Sequence, residues 1–127
     1  MTLQGILLVA LGGAVGCVAR YGVGILLDPK HLPQAIPYAT LLVNILGSLV
    51  LGYVLAQIAA HPDPQHETTR LLVGVGFCGG FTTMSTFAVE TMLRAESGAL
   101  GLAIANVALQ LTGCLGAAAL GIWLARR

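Results

Sequence analysis

GFCGGFTTMSTF, residues 76–87, is the most informative segment of the chain, and it lies in an apolar segment long enough to cross a bilayer. Its three glycines, three threonines and one serine disfavour an unbroken helix, because glycine costs about 1 kcal/mol relative to alanine and hydroxyl groups compete for backbone hydrogen bonds. At membrane depth, non-helical backbone must be buried in protein or line a wet cavity. The stretch therefore predicts a transmembrane helix that stops near Gly79 and restarts near Ser85, with peptide groups free to form an ion site.

The composition around this stretch is that of a membrane protein. The chain has 127 residues, of which 57% are hydrophobic and 9% charged, and its mean hydropathy is +0.89. These values exclude a soluble domain of this size. The net charge of +1 gives no basic surface for nucleic acid. The N-terminal segment lacks signal-peptide features and is expected to be retained. We predict a single transmembrane domain over residues 1–127, in the inner (plasma) membrane.

Four apolar segments each reach the roughly 20 residues that a spanning helix needs. They run over about residues 3–27, 36–60, 69–93 and 98–125, and polar connectors separate them. All five prolines fall in or beside the connectors, which supports these boundaries. The sequence therefore predicts an all-α membrane protein with four transmembrane helices, the third broken near its middle.

Positive charges are balanced between the two sides of the membrane. With four spans, three cationic residues fall on each side: Arg70, Arg126 and Arg127 with both termini, and Lys30, Arg94 and Arg20 opposite. Orientation normally follows an excess of lysine and arginine in the short loops of one side. Since neither side has an excess, we predict that the chain inserts in both orientations and pairs as an antiparallel, dual-topology homodimer.

Small residues recur at four-residue spacing in the predicted spans. The pairs and triplet are Gly12/Gly16, Ser48/Gly52, Gly76/Gly80 and Gly113/Ala117/Gly121. This spacing places small side chains on one helix face and permits close helix packing, although glycine is common in membrane helices in general. Taken together, these residues predict a compact bundle that also self-associates.

Two spans carry polar side chains at four-residue spacing, which places them on one face of each helix. They are Thr40, Asn44 and Ser48 in the second span, and Asn106, Gln110 and Cys114 in the fourth. Amides in hydrocarbon either bond between helices or line an aqueous path. Either explanation fits one residue alone, but two stripes beside a broken helix favour a path.

No aspartate, glutamate or lysine lies in the middle of a span, since Glu90 and Arg20 are near span ends. The sequence also has no nucleophile–base pair, phosphate loop or metal-ligand spacing. We therefore predict that the chain is not an enzyme. We also predict that any aqueous path through the membrane is lined by neutral amides, hydroxyls, a thiol and the positive edges of aromatic rings. Phe81 and Phe87 are candidate rings, although core packing is the simpler explanation of either one.

The central stretch, followed by Glu90, closely resembles the signature of the Fluc/CrcB fluoride channels. Further matches extend along the chain, and the four predicted spans also fit this family. These matches are Gly12–Gly16 with Arg20 and Tyr21, Pro37 followed by Thr40 and Asn44, and Asn106 with Gly113.

The resemblance implies a dual-topology homodimer that exports toxic fluoride passively through two antiparallel pores in the lipid bilayer. It also implies one structural sodium ion at the centre of the dimer interface, held by backbone carbonyls of Gly79 and Thr82 from both subunits; hard oxygen ligands suit such a cation. Asn44 would donate a hydrogen bond to fluoride, and Phe87 would face the ion with its ring edge. The other implied pore residues are Thr40, Ser85, Thr86, Asn106, Gln110 and Cys114.

The chain departs from the family pattern at two places. Met84 stands where many members have the second pore phenylalanine, and a thioether has no positive edge. Met84 is kept as a predicted pore residue on its position alone. Gln110 and Cys114 stand where some members have serine hydroxyls, so the contacts on that side of the path are expected to differ.

Two other functions are compatible with parts of the sequence. A small dual-topology, proton-coupled exporter of another solute matches the size and charge balance, but it needs a mid-span carboxylate, which this chain lacks. A structural bundle that self-associates without transport explains the glycines but leaves the central break unexplained.

Overall fold

The structure, a computed structural model, describes residues 2–27, 35–61, 63 and 66–127, and every regular element within these ranges is helical. The elements are α1 Leu3–Leu27, α2 Tyr38–Ala60, α3 His66–Thr69, a π-helix Arg70–Cys78, α4 Gly79–Phe81, α5 Met84–Glu96 and α6 Leu100–Ala125. Four stretches are long and apolar enough to cross a membrane: α1, α2, α6 and the third span, His66–Glu96, which runs from α3 to α5. The predicted all-helical class with four spans is therefore confirmed.

The helix ends differ from the predicted spans where local chemistry decides them. Helix α2 begins at Tyr38, after Pro37 in the N-cap position, because proline has no N–H and disfavours helix in the residue before it. Helix α5 continues past the predicted end at residue 93 to Glu96. Polar residues can extend a helix beyond the apolar segment that crosses the membrane, so hydropathy alone places this end too early.

A tight turn at residues 97–99 joins α5 to α6. Gly98 has a φ of 83°, in the left-handed region that favours glycine. The turn is closed by backbone hydrogen bonds from Ser97 N to Leu93 O (3.0 Å) and from Ala99 N to Arg94 O (2.9 Å). This arrangement is a glycine C-cap that reverses the chain immediately.

Glycines bring the backbones of neighbouring helices into direct contact. A Cβ placed on Gly12 or Gly16 of α1 would lie 2.9 Å from Phe77 N or 2.8 Å from Phe81 N, respectively. On the other side of the bundle, a Cβ on Gly121 of α6 would lie 2.8 Å from Tyr53 N of α2. These glycines of the small-residue pattern are therefore used within one chain, where they pack α1 on the third span and α6 on α2.

Arg94 is buried at the end of α5, with 5% of its surface exposed. Its guanidinium donates to Ala35 O through both Nε (2.8 Å) and Nη2 (2.6 Å), and to Glu90 O through Nη1 (2.7 Å). Ala35 lies just before Pro37 and the start of α2. The side chain therefore fastens the beginning of α2 to the end of α5, in a forked geometry that only arginine provides.

We expect Arg94→Met to lower the stability of the folded protein by about 2 kcal/mol, because the Ala35 carbonyl loses its donor to a charged group. Arg94→Lys should recover only part of this loss, since an ammonium has no fork. The midpoint of thermal unfolding in detergent measures the effect. Arg70→Met is the matched control, because the Arg70–Glu67 ion pair is exposed and water screens such pairs, so its loss should change the stability little. Equal midpoints for the two methionine variants would contradict the role given to Arg94.

Candidate ion pathway

The helical backbone of the third span stops at Phe81 and resumes at Met84. Thr82 (φ −85°, ψ 162°) and Thr83 (φ −153°, ψ 114°) between them are extended. The hydroxyl of Thr83 caps α5 by accepting from Thr86 N (3.2 Å), and threonine is a favoured residue at this position. The extended residues therefore join two helical pieces within one apolar span.

Asn44 of α2 satisfies both backbone groups of Thr83. Its Oδ1 accepts from Thr83 N (2.7 Å), and its Nδ2 donates to Thr83 O (3.1 Å). Extended backbone in an apolar environment needs such partners, because an unpaired peptide group there costs several kcal/mol. Asn44 therefore lies at the point where the helical hydrogen bonding stops.

The same contacts release two carbonyl groups from their helical donors. In a continuous α-helix, Gly79 O would accept from Thr83 N, four residues on, but Thr83 N donates to Asn44 instead. Likewise, Thr82 O would accept from Thr86 N, which donates to Thr83 Oγ1. The carbonyls of Gly79 and Thr82 are thus free of the bonds that a continuous helix would give them.

A groove of about 410 Å³ passes these groups, and we call it the Asn44 groove. It brings together seven of the predicted site residues: Asn44, Gly79, Thr82, Met84, Phe87, Gln110 and Cys114. Helix α2, both pieces of the third span and helix α6 all contribute to its lining, so residues far apart in sequence meet there.

A polar row crosses the Asn44 groove from α2 to α6. Gln110 Oε1 accepts from Asn44 Nδ2 (3.3 Å) and from the thiol of Cys114 (3.7 Å). Gln110 is only 4% exposed, and its Nε2 has no hydrogen-bond partner among the described residues. A buried amide donor without a partner is costly in a native protein. Gln110 Nε2 is therefore a buried donor whose hydrogen-bonding capacity is not used by the described residues.

A second cavity, of about 560 Å³, lies on the other side of Thr83, and we call it the Arg20 cavity. Two predicted path residues, Thr40 and Thr86, line it together with Arg20 and Glu90. Thr40 Oγ1 donates to Glu90 Oε1 (3.1 Å). Thr83 lines both cavities, so the extended backbone stands between a neutral groove and a cavity with charged walls.

Two predicted path residues line neither cavity. Ser85 is exposed and its hydroxyl lies 3.3 Å from that of Thr83. Asn106 is fully buried, and its Nδ2 donates to Thr91 Oγ1 (2.8 Å), which in turn donates to Phe87 O (2.7 Å). In the single chain, Asn106 therefore joins α6 to α5. Bonding between helices was one of the two explanations that the sequence allowed for a buried amide.

The aromatic candidates occupy different environments. Phe81 is 7% exposed and stacks on Phe77 with ring centroids 5.4 Å apart, so it packs in the core. Phe87 is equally buried but lines the Asn44 groove. Met84, at the other pore position that the resemblance implied, is 72% exposed on the same groove.

Sequence reasoning missed two residues of this region. Thr83 was read as one of several helix-breaking hydroxyls, although it holds the centre of the hydrogen-bond network. The two adjacent threonines at 82 and 83 were the sequence feature that could have indicated this role. Thr91 gave no signal, because a threonine near a helix end is ordinary and its partner Asn106 lies on another helix.

Comparison with known proteins identifies related chains. Residues 7–122 match the family described as "CrcB-like protein, Camphor Resistance (CrcB)". Curated relatives named "Fluoride-specific ion channel FluC" come from Enterobacter sp. (strain 638), Salmonella arizonae and Salmonella newport. Each is 40% identical over 124 residues, covering 96% of this chain and 94% of the relative.

These matches confirm the resemblance found in the sequence. The curated relatives are named as ion channels, and an ion channel is not an enzyme, so that part of the interpretation is confirmed as well. With four helices able to span a membrane and a bacterial relative matched over 94% of its length, the chain is a multi-pass protein of the inner membrane. The match over nearly its whole length shows that this chain belongs to the CrcB family.

Proposed function

We propose that the chain is a fluoride-selective channel that lets toxic fluoride leave the cell passively. The names of its curated relatives support the ion and the mode of transport. The observation that carries the proposal in this chain is the buried Gln110 amide, whose Nε2 has no partner among the described residues and which lines the Asn44 groove.

The chemistry of the groove suits a small anion that holds water tightly. A pore must replace the water around such an ion with hydrogen-bond donors, yet bind the ion weakly enough to release it. The lining of the Asn44 groove consists of amide, hydroxyl and thiol groups and apolar side chains. Neutral donors meet both requirements, whereas a lysine in the path would hold the anion.

Individual residues then have distinct roles in the proposed path. Gln110 Nε2 donates to fluoride in the groove, and the amide of Asn44 donates to it in place of its bond to Gln110 Oε1. Phe87 presents its positive ring edge. Thr40 and Thr86 continue the path in the Arg20 cavity, where the arginine attracts anions. Cys114 extends the polar lining along α6. Asn106 supports the path by joining α6 to α5, and Ser85 lies beside the path on α5. Met84 contributes a polarizable wall without a donor.

The proposed working unit is an antiparallel, dual-topology homodimer with two pores. The Asn44 groove is open in the single chain, and Met84 and the backbone of Gly79 are exposed along it. A second copy of the chain would cover these surfaces and close each groove into a pore. The balance of cationic residues between the two sides supports insertion in both orientations.

A structural sodium ion fits the carbonyl groups at the interruption of the third span. Gly79 and Thr82 both line the open groove, and their carbonyls lack the donors of a continuous helix. Hard oxygen atoms of this kind suit an alkali cation. In the dimer, the two residues of each subunit would hold one ion, which would supply positive potential near the path without blocking it.

Fluoride efflux from liposomes that contain the purified protein tests the proposal. A fluoride electrode should record rapid, passive loss of fluoride, while a chloride electrode records none. Efflux that requires a proton gradient would favour the exporter instead. If a verified dimer in sodium buffer released no fluoride, the channel proposal would be wrong.

We expect Gln110→Leu to reduce the fluoride efflux rate about tenfold or more, because one hydrogen bond to an ion is worth about 1.5–3 kcal/mol. The control is Thr112→Val on the same helix, since the Thr112 hydroxyl bonds its own helix at Ala108 O (2.7 Å) and lines neither cavity. Initial rates at equal protein density measure both variants. Unchanged efflux in Gln110→Leu would remove this amide from the path.

A further inference from the structure

The end of α6 is hydrogen-bonded to α2. Gln57 Nε2, on α2, donates to Ala125 O at 2.9 Å, and Ala125 itself is buried. Arg126 N donates to Trp123 O (3.2 Å), which closes the last turn. The residues that follow Ala125 therefore leave the bundle from a fixed point at the end of a membrane span.

Two exposed arginines and a tryptophan form a cluster at this point. The Arg127 guanidinium lies 3.6 Å from the centre of the Trp123 ring, and Trp123 is 47% exposed. Arg126 beside it is exposed as well. A tryptophan at the end of a span lies at the level of the lipid headgroups, and stacking over its ring orients the guanidinium at that level. We call Trp123, Arg126 and Arg127 the α6 terminal cluster.

The charges near this cluster favour an anionic partner. With four spans, the described side-chain carboxylates on the same side of the membrane are those of Asp63 and Glu67. Glu67 accepts two hydrogen bonds of 2.8 Å from Arg70, so that pair neutralises itself. Arg126 and Arg127 add two adjacent positive charges at headgroup depth, and guanidinium groups bind phosphate through paired hydrogen bonds.

We propose that the α6 terminal cluster is a binding site for the phosphate headgroup of an anionic phospholipid. The two arginines bind the phosphate, and the Trp123 ring together with Leu124 packs against the upper part of the acyl chains. Neither fluoride conduction nor dimer formation is needed for this site. A test of lipid binding at this site can therefore succeed or fail independently of the proposed channel function.

Trp123 is the single tryptophan of the chain, so its fluorescence reports on this site alone. The protein is reconstituted in phosphatidylcholine vesicles with a small fraction of phosphatidylglycerol, and one of the two lipids carries bromine on its acyl chains. Bromine quenches tryptophan on contact. We expect brominated phosphatidylglycerol to quench more strongly at the same mole fraction, with an apparent preference of about tenfold.

Matched variants identify the groups responsible. Arg126→Gln combined with Arg127→Gln should abolish the preference for phosphatidylglycerol, while quenching by phosphatidylcholine stays as before and shows that the helix remains in the bilayer. Arg70→Gln, an exposed arginine on the same side, should leave the preference intact. Equal quenching of the wild-type protein by the two brominated lipids would overturn the proposal. Loss of the preference in inorganic phosphate, relative to chloride at equal ionic strength, would assign the cluster to free anions instead.

Discussion

Asn44→Asp is expected to abolish fluoride efflux, with a rate at least about a thousandfold below that of the wild-type protein. A carboxylate in the groove repels the anion by about 4 kcal/mol at 4 Å, for an effective dielectric constant of 20. The substitution also removes the Nδ2 donor that bonds Thr83 O and Gln110 Oε1. Electrode recordings of liposome efflux at neutral pH measure the change.

Two controls separate the charge from the hydrogen bonds. Asn44→Leu removes the two Nδ2 bonds without adding a charge, and it also removes the acceptor of Thr83 N, which aspartate keeps. Efflux that is lower in Asn44→Asp than in Asn44→Leu is therefore due to the charge. Gln4→Glu makes the same change from amide to acid at an exposed residue near the start of α1 and should conduct normally. Each variant is first shown by size-exclusion chromatography to be folded. Wild-type efflux in Asn44→Asp would refute a role of Asn44 in the path.

Gly16→Ala is expected to destabilise the protein by about 3 kcal/mol or more, although alanine is the better helix former. The added methyl group would meet backbone atoms, with Phe81 N at 2.8 Å. Backbone cannot move aside as a flexible side chain can, so α1 must separate from the third span. A lower midpoint of thermal unfolding and a loss of monodisperse protein in detergent are the expected observations.

Gly22→Ala, on the same helix, is the matched control because a Cβ at Gly22 has no atom within 4 Å. This change should leave stability the same or slightly raise it, since alanine favours the helix. If Gly16→Ala were as stable as Gly22→Ala, the contact between α1 and the third span would be looser than the structure indicates.

Apolar length and turn chemistry were sufficient to predict the helical class and the four spans. A hydrocarbon layer admits few alternatives, because every backbone group in it must be bonded. The predicted ends of the spans agreed less well with the ends of the helices. Pro37 moved the start of α2 to Tyr38, and α5 continues beyond its apolar part to Glu96.

The candidate site was predicted less completely, because its residues meet through contacts between distant parts of the chain. Four-residue spacing placed Asn44 on a polar face, but its bonds to Thr83 join residues 39 positions apart. The same spacing placed Asn106 beside Gln110 on α6, yet Asn106 bonds Thr91 while Gln110 faces the groove. Helical periodicity predicts which residues share one face of a helix, but it does not predict which residues of other helices that face contacts.

Buried Arg94 illustrates the same difficulty for charged residues. The sequence placed it in a connector, where arginine is normally solvated, and counted it among the cations that decide orientation. The structure buries it on the Ala35 carbonyl. A backbone acceptor has no signature in the sequence, so only the fold reveals this role.

The tight turn at residues 97–99 has a consequence for how the protein is made. Because only residues 97–99 join α5 to α6, in a turn closed by backbone hydrogen bonds, we expect the two helices to enter the bilayer together as one helical hairpin. The orientation of α6 is then inherited from α5 during synthesis. If the chain inserts in both orientations, as proposed, the choice between them would rest with the earlier part of the chain, and the last helix would follow it.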